Sequence, residues 1–210
     1  MAVRSFGANS SFLFEIRSAE NATQLVVGRR DGVQPTRGTA FQIATNWWLT
    51  AQHVVGDTTE IHLKVGRDVR PARIVYEDKD RDVAVLSSDV EWQWRAKTTE
   101  DVPDSGDRIK LVGWAGLRIQ SAIRLTFDYV VQGPAENNLI ALTGLDHPQL
   151  GFSGAPTIDM RSGRVVGFLV HTGKSGRNDE SLPEPVSLAF IVSLSDIPAE
   201  FRSRGSATRP

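Results

Sequence analysis

Apolar and β-branched residues fall along this chain in short runs, separated by clusters of glycine, proline, asparagine and aspartate. The runs FLFEI, QLVVG, GTAFQIA, EIHLKV, ARIVYE, VAVLSS, RIKLVGW, IRLTFDYVV, LIALTG, RVVGFLV and SLAFIV have strand length and strand composition. Many short strands divided by turn residues predict an all-β sandwich or barrel. WWLTA, ending in Thr50 and Ala51, reads as one more apolar strand. Helix is predicted only near the end, where Ser195 or Asp196 is placed to cap IPAEF with Pro198 in its first turn. The most polar internal stretch, AKTTEDVPDSGD at 96–107, divides the strands into two groups. The expected organisation is an N-terminal segment at 1–10, a first β unit over 11–100, a second over 101–198, and a flexible tail or linker over 199–210.

Composition narrows the class of partner more than the fold. With 210 residues, 40% apolar and 23% charged, the chain has the make-up of a soluble globular protein. A formal net charge of −1 gives no electrostatic case for nucleic acid or an anionic membrane as partner. No run reaches the ~18–20 apolar residues needed to span a bilayer. The first residues, MAVRSFGANSSFLFEIRSAE, lack the charged, apolar and small-residue succession of a signal peptide. The absence of cysteine excludes disulfide and thiolate chemistry. Together these features predict a cytoplasmic protein.

The stretch LGFSGAPTID, residues 150–159, sets Ser153 between Gly151 and Gly154. A serine hydroxyl attacks a carbonyl at neutral pH only if a neighbouring imidazole takes its proton. That imidazole needs an orienting carboxylate, and the oxyanion formed needs preorganised N–H donors. Of the four histidines, His53 follows an apolar strand in WWLTAQHVVGD, while His62 sits within the alternating run EIHLKV, the place of an ordinary packed or half-exposed side chain. His147 and His171 flank the Ser153 turn in sequence. Asp78, Asp80 and Asp82 precede VAVL, an arrangement that by itself describes a solvated acidic turn. Asp82 abuts the apolar run directly, however, where a carboxylate needs a partner such as an imidazole N–H.

GTAFQIATNWWLTAQHVV, DRDVAVL and GFSGAP, in the order His, Asp, Ser, resemble the three signature blocks of trypsin/chymotrypsin-like serine peptidases, most nearly the bacterial HtrA type. The intervals, 82 − 53 = 29 and 153 − 82 = 71 residues, are compatible with that pattern, and the likeness extends over residues 11–198. This triad is the established template for acyl transfer by serine, so the match is to a known pattern. The resemblance implies two six-stranded antiparallel β-barrels, Ser153 as nucleophile, His53 as general base then acid, and Asp82 fixing the His53 tautomer. It also implies an oxyanion hole made by the Gly151 and Ser153 amides. The expected activity is that of a serine endopeptidase acting on protein or peptide substrates without a cofactor, as a regulated intracellular bacterial protease or effector domain.

Two departures from the pattern matter. Phe152 stands where trypsin-type zymogens carry the aspartate that pairs with a freed N-terminus, so activation by N-terminal cleavage is not expected. The site is then either formed constitutively or completed by a partner or regulatory domain outside this chain. Ala155 replaces a glycine that often follows the serine, a mild constraint on the turn. By resemblance, the first substrate pocket draws on LDHPQL and FLVHTG, with His147, Gln149, Val170, His171 and Thr172 as candidates and Asp146 of uncertain register. Glutamyl endopeptidases place a histidine two positions nearer the glycine than His171, and alternation would keep the face. A surface role for His171 and a small or apolar pocket preference stay open. The rival reading is a non-catalytic protein-binding module on the same fold. An esterase of the α/β-hydrolase type is disfavoured because GFSGA does not fit its GxSxG elbow or its residue order. HVV and IHL lack metal-ligand spacing, so no metal is expected.

Overall fold

The structure is a computed structural model that describes residues 10–116, 121–174 and 187–202. It opens with helix α1, Ser10–Ala22. The first barrel comprises β1 (Thr23–Arg29), β2 (Thr36–Ala44), β3 (Trp47–Ala51), β4 (Glu60–Val65), β5 (Asp68–Asp78) and β6 (Val83–Ser87), with the single helical turn α2 (Gln52–Val55) after β3. The second comprises β7 (Arg108–Ala115), β8 (Ile123–Pro134), β9 (Ile140–Gly144), β10 (Pro156–Asp159), β11 (Val165–Lys174) and β12 (Ser187–Ser193). The strand orders are β1-β2-β3-β6-β5-β4 and β10-β11-β12-β9-β8-β7, each closed on itself. All pairings between these strands are antiparallel. This is the chymotrypsin-like double barrel that the resemblance implies.

Strand alternation explains why the barrels pack as they do. Along β7, Ile109, Leu111 and Ala115 enter the second core while Val112 faces the first. Val112, Phe168 and Val192 join the first barrel's Phe41, Leu49 and Leu86 in one continuous cluster, so the barrels share an apolar seam. Closure also removes the unpaired edges that an open sheet would expose.

FLFEI is not a strand. It lies in α1, where Phe12 packs on the core and Ile16, Ala19 and Ala22 are buried, a spacing of three and four residues. A five-residue apolar run does not distinguish the two periods; the burial over thirteen residues does. Glu15 of this helix pairs with Lys97 at 2.7 Å and with Arg164 at 3.7 Å, tying α1 to the inter-barrel connection and to the β10–β11 turn. At the other end, Leu194–Asp196 form one 3₁₀ turn capped by Ser193, whose hydroxyl accepts from the Ser195 amide. The expected caps Ser195 and Asp196 thus lie inside that turn, and α3 covers Ala199–Arg202. The expected tail beyond residue 202 and the segment 1–9 lie outside the described residues.

Candidate active site

His53 stands on α2, directly after β3. Its register is set by Asp82, which sits in a left-handed turn with φ of 57° before β6, a conformation aspartate tolerates better than most residues. The Asp82 carbonyl accepts the Gln52 amide at 3.1 Å, and its Oδ1 accepts the His53 amide at 2.8 Å. Oδ2 lies 2.6 Å from His53 Nδ1, the length of a charge-assisted hydrogen bond. A carboxylate only accepts, so Nδ1 carries the proton and Nε2 of the neutral ring is left as the acceptor. The pair is half open to solvent, with side-chain exposures of 48% and 26%.

Ser153 comes to the same place from the second barrel. Gly151 has φ of 104° and Gly154 of 85°, values that fit glycine and bend the chain sharply on either side of the serine. The turn is stitched to β11: the Gly154 amide donates to the Leu169 carbonyl at 2.7 Å, and the Leu169 amide to the Ala155 carbonyl at 2.9 Å. Phe152 points away from solvent into the second core, 1% exposed, stacked on Phe127 at 5.1 Å between centroids. Its ring also fills the space over Gly113, where a Cβ would collide with it. An apolar anchor thus occupies the position at which an ion pair would otherwise hold the loop.

Thr39 fastens this loop to the first barrel. The side chain is fully buried in β2. Its amide donates to the Ser153 carbonyl at 2.8 Å, and its hydroxyl donates to the Gly151 carbonyl at 2.7 Å while accepting the Trp114 amide at 2.9 Å. The Thr39 carbonyl accepts the Thr50 hydroxyl at 2.7 Å. With the carbonyls of Gly151 and Ser153 engaged, their amides are the groups left over. Neither amide donates to an acceptor among the described residues. Sequence reasoning passed over Thr39, although a hydroxyl within the apolar run GTAFQIA is itself the signal of a buried polar contact.

His53, Asp82, Gly151 and Ser153 line one cleft of about 940 Å³ between the barrels. The candidate pocket residues His147, Gln149, Val170, His171 and Thr172 line it too, whereas Asp146 does not. Successive residues of β11 reach the cleft because a bulge between Leu169 and His171 breaks the alternation. The simple face argument for His171 therefore does not hold, yet the bulge delivers the residue to the cleft, over Phe190. His147 Nδ1 lies 3.1 Å from Ser187 Oγ, which in turn lies 3.4 Å from the buried Tyr129 hydroxyl. Burial pushes the Tyr129 phenol above its usual range, with the Asp146 charge acting in the same direction and the Ser187 hydrogen bond opposing. The phenol stays protonated and donates to the Asp146 carbonyl at 2.7 Å. Ser187 is then the donor toward Tyr129, and His147 Nδ1–H the donor toward Ser187, the one assignment that makes all three contacts hydrogen bonds. His62 lies apart, on β4. Among the described residues no group of three or more metal-ligating side chains is assembled, and no helix is long and apolar enough to cross a membrane.

A profile of the trypsin-like peptidase domain matches residues 38–168, more than half of the chain. The chain belongs to the trypsin-like peptidase family. Among solved structures, it is similar to the active form of the Rv3671c protease from M. tuberculosis, with a TM-score of 0.71 at 18% identity, covering 93% of this chain and 86% of that one. A serine endoprotease from Yersinia pestis aligns with a TM-score of 0.67 at 20% identity over 86% of this chain. The HtrA-type protease AlgW with a tripeptide aligns with a TM-score of 0.67 at 17% identity over 87%. This chain spans 62% of the Yersinia enzyme and 60% of AlgW. At these identities the likeness is one of fold. No curated protein matches the sequence.

Proposed function

We propose that this trypsin-like peptidase domain is a serine endopeptidase acting through an acyl-enzyme on protein or peptide substrates. The observation that carries the reading is the convergence of an Asp82-oriented His53, Ser153 and two uncommitted amides on one cleft. Ser153 Oγ attacks the scissile carbonyl as His53 Nε2 takes its proton, and Asp82 steadies the imidazolium that forms. The Gly151 and Ser153 amides receive the negative charge that develops on the carbonyl oxygen. His53 then protonates the departing amine, and water repeats the cycle on the ester.

The first pocket in this reading is formed by His147, Gln149, Val170, His171 and Thr172, all of which line the cleft. Phe152 in the second core and the Thr39 hydrogen bonds support a loop that is formed without N-terminal cleavage. An intracellular role as a regulated protease or effector, with a partner or further domain deciding when substrate reaches the cleft, is part of the proposal.

The test is hydrolysis of a quenched-fluorescent peptide library by the wild type and by Asp82→Asn. An amide in place of the carboxylate no longer enforces the Nδ1–H tautomer of His53, and turnover should fall on the order of 10⁴. Equal turnover by the two proteins would refute the assignment.

A further inference from the structure

Beside the cleft, the outer face of the first barrel carries a cationic strip that the proposed chemistry does not use. Register places Arg37 of β2 opposite Val27 of β1, and Val27 opposite His62 of β4. One step along, Thr39 faces Leu25 and Leu25 faces Lys64. Residues in register, and those two apart on one strand, share a face. Arg37 therefore lies on the side of β2 from which the Thr39 hydroxyl reaches the Gly151 carbonyl. Arg37 itself lines the cleft. Beyond it, Arg29, His62 and Lys64 line a shallow hollow of about 80 Å³ with Val27 and Val69.

Two features distinguish this face from an ordinary solvated surface. Arg37 Nε and His62 Nδ1 are both enclosed and lack a hydrogen-bond partner among the described residues. Arg37 also has no ion-pair partner among the described residues, whereas the other arginine in the cleft, Arg81, is engaged by Asp78. Enclosing Nε holds one edge of the guanidinium in place, so a carboxylate docking on its terminal nitrogens meets a group already oriented. Glu60, opposite Arg29 in register, is the carboxylate at the far end of the strip.

Val170, His171 and Thr172 of the first pocket reach the cleft from β11 of the second barrel, whereas Arg37 reaches it from β2 of the first. We infer that this strip, with Arg37 at its cleft end, binds acidic side chains on the leaving-group side of the cut. Adjacent strands are ~4.8 Å apart, so Arg37 and His62 are separated by about 10 Å across the sheet, the span of about three extended residues. With Arg37 assigned to the second residue beyond the scissile bond, a strip of that length takes in the second to the fourth. This inference rests on the endopeptidase reading for its direction along the substrate.

The experiment uses quenched-fluorescent peptides randomised on the acyl side and carrying Glu, Gln or Lys at the second to fourth positions after the cut. Cleavage is measured with the wild type, Arg37→Gln and Arg37→Glu; binding of the same peptides is measured with Ser153→Ala carrying each Arg37 substitution. The wild type is expected to prefer Glu over Gln about tenfold, the size of one charge-assisted hydrogen bond. The preference should shrink as salt is raised, approach unity in Arg37→Gln and turn toward Lys in Arg37→Glu. Cleavage with the same Glu-to-Gln ratio in all three proteins would overturn the inference and leave the endopeptidase reading standing. No cleavage, but Arg37-dependent binding of the Glu peptides, would do the reverse. The salt response of the wild type decides the matter even if a variant folds poorly.

Discussion

Replacing Thr39 by valine keeps the β-branched shape and removes one hydroxyl from the junction of both barrels with the Ser153 loop. Two hydrogen bonds disappear, to the Gly151 carbonyl at 2.7 Å and from the Trp114 amide at 2.9 Å. At about 0.5–1.5 kcal/mol each, they amount to roughly 1–3 kcal/mol, and leaving the Trp114 N–H without an acceptor adds about 1–3 kcal/mol. The added methyl recovers part of this, so a loss of about 2–4 kcal/mol is expected, within the ~5–15 kcal/mol that keeps a domain folded. The functional effect should be larger than the structural one. With its carbonyl released, Gly151 is free to turn, and losing one oxyanion donor costs on the order of 10²–10³ in kcat. Thr39→Val should therefore unfold at a lower temperature and lose most of its kcat with little change in KM, while Thr39→Ser, which restores the hydroxyl, regains both. The assay is steady-state peptide hydrolysis beside a thermal melt. A folded Thr39→Val with wild-type kcat would refute the clamp.

Three further outcomes follow from the same geometry. Phe152→Ala empties the ring's place against Phe127 and Gly113, and should cost about 3–5 kcal/mol in chemical denaturation together with serine reactivity. Gly154→Ala sets a Cβ 2.5 Å from the Thr50 hydroxyl at a φ of 85°, so the variant should be both destabilised and inactive, as read by a melt and peptide hydrolysis. For Tyr129, the native phenol holds its proton more tightly than the unfolded one, so its contribution to stability is complete below the unfolded value of about 10. It is lost as pH rises through the higher native value; urea unfolding between pH 9 and 11 should show a decline that is smaller in Tyr129→Phe, where only Tyr76, also raised, still contributes.

Much of the double barrel was legible because buried strands leave plain marks: VAVLSS and RIKLVGW need no context to be read as β6 and β7. α1 was not, because its Phe-Leu-Phe run has the composition of a strand and only packing along Ile16, Ala19 and Ala22 reveals the longer period. At the site, His53, Asp82 and Ser153 stood out as reactive residue types in a recognisable order. What orients them did not, since Thr39 and Phe152 act through partners more than seventy and about twenty-five residues away in the chain (Trp114 and Phe127). The β11 bulge that brings His171 to the cleft is equally silent in sequence, being a property of the pairing with β12.

The central claim is that Ser153 is an activated nucleophile beside a formed oxyanion hole. Labelling with a fluorophosphonate probe, compared between the folded wild type and Ser153→Ala, tests it most directly. Rapid labelling of the wild type and none of the variant are expected. A folded wild type that takes up no label, or a Ser153→Ala protein labelled as readily as the wild type, would contradict it.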